Sequence, residues 1–230
     1  MKQHTILVDP QTQQLFERLQ PALSLTLPGT EAQMQMVPAA RHDQIFRQKH
    51  QTPVHSSILI VMYFKGQKVH VLFIRRPEYP GVHSGQIAFP GGRREPEDAD
   101  NLATGLRETE EETGIQRETL QIAGALTPLY IPPSNYLVFP FVAVAPPDPR
   151  FIPDPTEVAS IVEIPLENLL NPDSIRLMPP AREFSFLEVP AYVIGETVIW
   201  GATAMITAEL LAVISRVKTL QQTEKTGITE

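Results

Sequence analysis

The chain has 230 residues, 42% of them apolar, which suffices for one domain with extensions, or two small ones, around a sizeable core. It contains no cysteine, so disulfides, thiolate metal sites and cysteine nucleophiles are excluded. Its formal net charge of −7 is spread diffusely, which argues against a nucleic-acid binder but not against a small phosphorylated ligand held by local arginines and metal ions.

In chain order, residues 10–20 form a short amphipathic helix with Leu15, Phe16 and Leu19 on one side. Residues 28–50 look irregular or weakly helical, and 1–50 is set apart as an N-terminal extension. "HSSILIVMYF" and "KVHVLFIRR" are apolar, β-branched strands joined by a short turn in "KGQK". "GQIAFPGG" is a short strand ending in a tight turn, and residues 99–113 are a strongly patterned helix. "LQIAGALTPLYIP" and "YLVFPFVAVAP" are strand-like, and "PPDPRFIPDPTEV" is a proline-rich loop. "ASIVEIPLENLL" is a strand leading into a short helix, and "EFSFLEVPAYVIG" is a further strand region. "GATAMITAELLAVISRVKTL" closes the series as an amphipathic helix. Strands interleaved with two substantial helices predict an α/β fold, with a mixed sheet sandwiched between helices. No run reaches the ~18 apolar residues of a membrane helix, and "MKQHTILVDPQTQQLFERL" lacks a signal-peptide core. The expectation is a soluble, cytoplasmic protein with no membrane or nucleic-acid partner.

The helix at 99–113 carries Glu108, Glu110, Glu111 and Glu112 within five positions. Asp98 or Asp100 can cap its start, and Gly114 can take the left-handed conformation at its end. At about 100° per residue, Leu102, Leu106, Thr109 and Thr113 share one face and should pack on the sheet. Glu108, Glu111 and Glu112 share another face, while Glu110 points away and reads as a solvated bystander. Three converging carboxylates raise one another's proton affinity unless a cation is present. Oxygen ligands of this kind suit Mg²⁺, and Arg107 could lock one carboxylate by a bidentate contact. Most charge runs are merely solvated faces, and the glutamates alone do not exclude that.

Arg107-Glu108-Thr109-Glu110-Glu111-Glu112-Thr113-Gly114-Ile115 resembles the second half of the Nudix hydrolase signature, R-E-U-x-E-E-x-G-U, with Thr109 soft for the apolar U. The first half departs: Gly92 and five intervening residues are followed by Asp98, not glutamate, and eight residues rather than seven separate Asp98 from Arg107. This spacing, and the "FPGG" before it, look like the coenzyme A pyrophosphatase branch. The resemblance implies a Nudix-type α/β/α sandwich over residues 51–225 that hydrolyses a pyrophosphate bond in a nucleoside diphosphate derivative, with Mg²⁺ or Mn²⁺ as cofactor. It makes Glu108, Glu111 and Glu112 metal ligands, with the Gly91 carbonyl as a further donor. Glu108 and Arg107 enter the catalytic set, Arg107 in an orienting role. It leaves the general base open between a box glutamate and a later loop glutamate, for which Glu157 is the candidate. Asp98 is a supporting acid in this reading, and a homodimer is the family habit.

Upstream, Leu72, Arg75, Gly85, Phe89, Pro90, Gly91 and Gly92 are similar, in register, to the motif that marks the coenzyme A branch. Val71 and Phe73 replace its first leucine and threonine, Arg76-Pro77 replace serine-alanine, and Gly81 stands where its second arginine belongs. The resemblance implies coenzyme A or its thioesters as substrate, with Arg75, Arg76, His83 and Phe89 near it. The products would be 4′-phosphopantetheine and adenosine 3′,5′-bisphosphate. ADP-ribose or another nucleoside diphosphate sugar is the alternative. A non-catalytic binding module fits less well, because such modules lose box carboxylates that this chain keeps.

Overall fold

The computed structural model describes residues 9–38, 52–78, 84–179 and 188–226, leaving aside the side chains of 217–226. Helix α1, Pro10–Ser24, starts where the Asp9 side chain accepts a hydrogen bond from the Thr12 N–H. Helix α2, Gly29–Met34, follows as a single short turn-and-a-half in a stretch that the sequence left irregular or weakly helical. Strand β1, Val54–Lys65, and strand β2, Lys68–Arg75, form a hairpin in which Lys65 opposes Lys68, and Gly66 supplies the positive φ that a two-residue turn needs.

Strand β3, Ile87–Ala88, lies along β2, and strand β4, Gly91–Arg93, crosses to lie along β1. Helix α3, Asn101–Thr113, comes next, then strands β5, Gln121–Ala125, β6, Leu129–Ile131, and β7, Tyr136–Val144. β7 runs parallel to β1 from the Val54–Tyr136 pair to the Met62–Val144 pair, so the chain between them must cross over, and it carries α3 across one face of the sheet. Strand β8, Ser160–Pro165, covers the outer side of β2 and leads into helix α4, Leu166–Leu170. Strands β9, Ile175–Met178, β10, Val189–Ile194, and β11, Thr197–Trp200, make a separate antiparallel sheet. Helix α5, Gly201–Thr226, closes the chain.

Both faces of β1 are buried, which is why its sequence is a continuous apolar run rather than an alternation. Leu59, Val61 and Tyr63 face α3, in a small cluster with Leu72, Ile115 and Ala143. Ile60 and Met62 face the other way, into the larger core shared with Leu19 and Leu23 of α1 and with Ala204, Leu210 and Ile214 of α5. The result is the expected α/β/α sandwich. α1 and α2 belong to the α5 layer. A buried Glu209 on α5 fastens them there, accepting hydrogen bonds from the Gly29 N–H, the Gln33 amide, and the N–H and hydroxyl of Thr127. Among the described residues no helix is long and apolar enough to cross a membrane.

Candidate active site

Asp100, not Asp98, caps α3: its carboxylate accepts from the Ala103 N–H at 2.8 Å. At the other end Gly114 adopts φ +74 and returns its N–H to the Glu110 carbonyl at 2.8 Å. The stripe of α3 that faces the sheet is Thr104, Gly105, Thr109, Glu112 and Thr113, whereas Leu102 and Leu106 are only half-buried. Thr109 and Thr113 lie on the expected face, while the leucines stand at its edge, Leu106 against the cluster around Leu59. Gly105 sits directly over Ser57 and Ile58, where a β-carbon would already be 3.6 Å from the Ile58 carbonyl oxygen. The helix rests on β1 through small side chains, and the two leucines lie at the flanks. The Thr109 and Thr113 hydroxyls satisfy themselves on carbonyls one turn back, at 2.7 and 2.6 Å.

The same buried stripe includes Glu112. It is 4% exposed, and its Oε2 accepts from the Gly91 N–H at 2.8 Å. Burial pushes its carboxyl up to about 8, against the opposing pull of the Gly91 N–H and the nearby Arg76 cation. Burial also raises Glu108, whose carboxylate lies where a side chain on Gly92 would stand. Glu111 is the exposed member of the trio.

Arg107 organises the surface. Its Nε and Nη2 donate to the two oxygens of Asp98 at 2.9 Å each, and its Nη1 donates to Glu108 and Glu111 at 3.0 Å each. The cation that Glu108 and Glu111 share in this structure is therefore the Arg107 guanidinium. Asp98 is fixed further by the Thr104 hydroxyl and the Glu95 N–H, and Arg107 beside it holds its carboxyl well below the usual carboxylate range. Sequence reading weighed Asp98 as a cap or a supporting acid. Thr104, which completes this clamp, it missed, because nothing in a threonine one turn into a helix signals a partner six residues back.

The glycine turn is set by β1. Leu59 donates to the Pro90 carbonyl and Arg94 to the His55 carbonyl, each at 3.0 Å. Alternation along an antiparallel ladder then puts Gly91 at a non-bonded position, with its N–H and C=O both turned away from β1. Gly91 has φ +148, and a β-carbon there would stand 2.2 Å from the Ser57 carbonyl oxygen. No other residue fits.

Glu157 arrives on the proline-rich loop, which is tied to the end of α3 by Ile152 N–H to Thr113 O at 2.8 Å and Asp154 N–H to Glu112 O at 3.3 Å. Its charge raises the proton affinity of both Glu108 and Glu112. Arg76 joins the site beside Glu112, and Arg75 is half-buried on β2 with Nη1 reaching the Gly85 carbonyl at 3.5 Å. Phe89 is not brought to this surface: it is 3% exposed and stacks on Phe73, with ring centres 4.6 Å apart. His83 lies outside the described residues. Glu110, expected to be solvated, pairs with Arg117 beyond the helix end.

Among the described residues no three His, Asp or Glu side chains close on one point: Glu108 and Glu111 turn to Arg107, and Glu112 turns to Gly91. The donor chemistry nevertheless suits a hard divalent ion, being all oxygen, with a buried carboxylate whose charge burial leaves poorly compensated.

Residues 53–185 match the family model described as NUDIX domain. The chain belongs to the Nudix family. A relative named "Uncharacterized Nudix hydrolase NudL" from Photorhabdus laumondii is 37% identical over 156 residues, covering 68% of this chain and 82% of that one. A protein of the same name from Yersinia pestis is 35% identical over 145 residues, covering 63% and 72%. Among solved structures, a mutT/nudix family protein from Listeria innocua shares the fold, with TM-score 0.51 at 20% identity over 74% of this chain and 99% of that one. As a Nudix hydrolase the protein is a pyrophosphohydrolase acting on a small nucleotide substrate, and Nudix hydrolases generally use divalent metal ions.

Proposed function

We propose that this Nudix hydrolase splits the pyrophosphate bond of coenzyme A or its thioesters, giving 4′-phosphopantetheine and adenosine 3′,5′-bisphosphate. The observation that carries the reading is the continuity of one segment. The run Leu72, Arg75, Gly85, Phe89, Pro90, Gly91 and Gly92 leads from β2 through β3 into the glycine turn that holds Glu112. Phe89 anchors that segment in the core by its stack on Phe73.

Glu108, Glu111, Glu112 and the Gly91 carbonyl would hold Mg²⁺ or Mn²⁺. A bound divalent ion supplies positive charge to phosphate oxygens and eases ionisation of water. The rest falls to side chains. Arg107, fixed by Asp98, keeps Glu108 and Glu111 in register with one another. Arg76 adds a cation where the pyrophosphate would lie, and Glu157 faces the same carboxylates from the loop, as a base for the attacking water. Phosphoryl transfer asks mainly for such positioning and charge cancellation.

The test is product analysis after the purified protein is incubated with coenzyme A in ¹⁸O-labelled water, with Mg²⁺ and with Mn²⁺. Release of 4′-phosphopantetheine and adenosine 3′,5′-bisphosphate is expected, with the label on one of them reporting the phosphorus attacked. Turnover of ADP-ribose far faster than coenzyme A would overturn the substrate assignment.

A further inference from the structure

Next to Glu108 the protein opens into a broad cleft of ≈ 920 Å³, within the size range of small-molecule sites. Two features of its lining belong to no part of the machinery above. The first is His55, whose ring stands 5.0 Å from that of Phe139 at 56°. In the parallel β1–β7 ladder Phe139 opposes Ser57, two residues on from His55, so both rings rise from the α3 face of the sheet. His55 is half-buried and lines the cleft, and Phe139 stands beside it as support for the ring.

The second is Arg94. It stands opposite His55 across the β1–β4 edge, where its N–H donates to the His55 carbonyl at 3.0 Å. Its guanidinium is positioned by main chain alone: Nη2 donates to the carbonyls of Asp98 at 3.2 Å and Ala99 at 3.1 Å. Among the described residues it forms no ion pair. Its remaining N–H groups are left for an anion, in the fork geometry that suits phosphate. Glu95 and Glu97 line the same cleft, so this is not a general polyanion surface. Arg93 lines it too, but the guanidinium that main-chain carbonyls hold in place is that of Arg94, next to the His55 ring.

We propose that this cleft is the nucleotide subsite: a purine base stacks on His55, whose ring Phe139 supports, and Arg94 binds a phosphomonoester on the attached ribose. Such a ligand is a nucleoside bisphosphate, and its 5′ diphosphate would then point toward Glu108. The inference rests on the pyrophosphohydrolase reading and sharpens it: the enzyme recognises coenzyme A by its adenosine 3′-phosphate, not by the pantetheine arm.

Two measurements test it. Steady-state kinetics compare coenzyme A with dephospho-coenzyme A, which differs only in that phosphate. The parent should favour coenzyme A by about tenfold or more, as expected for one charge-assisted contact. In Arg94→Gln the ratio of the two kcat/KM values should fall toward one, through KM, with partial recovery in Arg94→Lys. Calorimetric binding then compares adenosine 3′,5′-bisphosphate with adenosine 5′-monophosphate. The bisphosphate should bind more tightly to the parent but not to Arg94→Gln, and His55→Ala should weaken both. Circular dichroism confirms that each variant is folded. An unchanged ratio in Arg94→Gln, or equal binding of the two nucleotides to the parent, overturns the subsite. If coenzyme A is not hydrolysed but the bisphosphate still binds through Arg94, the subsite stands and the substrate assignment falls.

Discussion

Asp98 and Arg107 meet as a two-pronged fork, Oδ1 on Nε and Oδ2 on Nη2, both at 2.9 Å, with the Asp98 side chain 5% and the Arg107 side chain 16% exposed. Removing one partner leaves the other charge poorly solvated, so Asp98→Ala should cost about 3 kcal/mol of stability in urea unfolding. Without the fork, Glu108 and Glu111 lose their common anchor, and kcat should fall roughly 10–100-fold with a smaller change in KM. The pH dependence has a definite sign. Because the folded carboxyl is held low, its stabilising contribution is in place above about pH 4 and is lost as pH falls through the depressed value. Asp98→Asn should therefore flatten the acid limb of the stability curve.

Glu112 has the opposite sign. Its folded carboxyl is pushed from 4.5 up to about 8, so the folded state holds the proton more tightly than the unfolded chain. The associated stability is complete below pH 4.5 and is lost as pH rises through about 8. Melting of the metal-free protein should occur at lower temperature at pH 8.5 than at pH 6, and Glu112→Gln should remove much of that slope. Added Mn²⁺ should restore more stability at the alkaline end, since binding displaces the proton. The same variant should lose activity by orders of magnitude.

Gly91 and Gly92 are neighbours with different duties. Gly91→Ala drives a β-carbon against β1 main chain at 2.2 Å in a left-sided conformation, and should unfold or severely destabilise the protein. In Gly92→Ala the new carbon meets the Glu108 carboxylate at 2.5 Å, the far end of a flexible side chain. That variant should fold, with a melting temperature within a few degrees of the parent, yet lose roughly tenfold or more in kcat as Glu108 is displaced.

Gly105 gives a control. A β-carbon there would make ordinary contacts, 3.6 Å from the Ile58 carbonyl oxygen and 3.7 Å from the Ser57 β-carbon. Gly105→Ala should stabilise the protein by about 0.5–1 kcal/mol, the helix-propensity gain, with activity retained. A loss of stability would show that α3 lies closer to β1 than these distances allow.

Glu209 is fully buried, and its carboxylate accepts from Gly29, Gln33 and Thr127. Glu209→Ala strands four donors, and should cost about 3–5 kcal/mol in urea unfolding. Limited proteolysis should then cut first at the N-terminal side of β1, as α1 and α2 lose their tie to α5.

Local patterns in the chain account for the strands of the central sheet and for the chemistry on offer. β1 and β2 announce themselves by continuous apolar runs, α3 by its cap, its glycine stop and its glutamates. Arg107, Glu108, Glu111 and Glu112 are legible because helix periodicity, a local rule, places them together. How deep each glutamate lies follows from long-range packing. The seating of α3 on β1 buries Glu112 and leaves Glu111 outside, and no local pattern encodes that contact. Long-range packing likewise gave Phe89 to the core, bound Glu110 to Arg117, and set His55 beside Phe139 and Arg94, residues far apart in the chain that only strand pairing makes neighbours. Periodicity reads the direction of a side chain from its own helix or strand, whereas burial and partnership depend on what the rest of the chain brings against it.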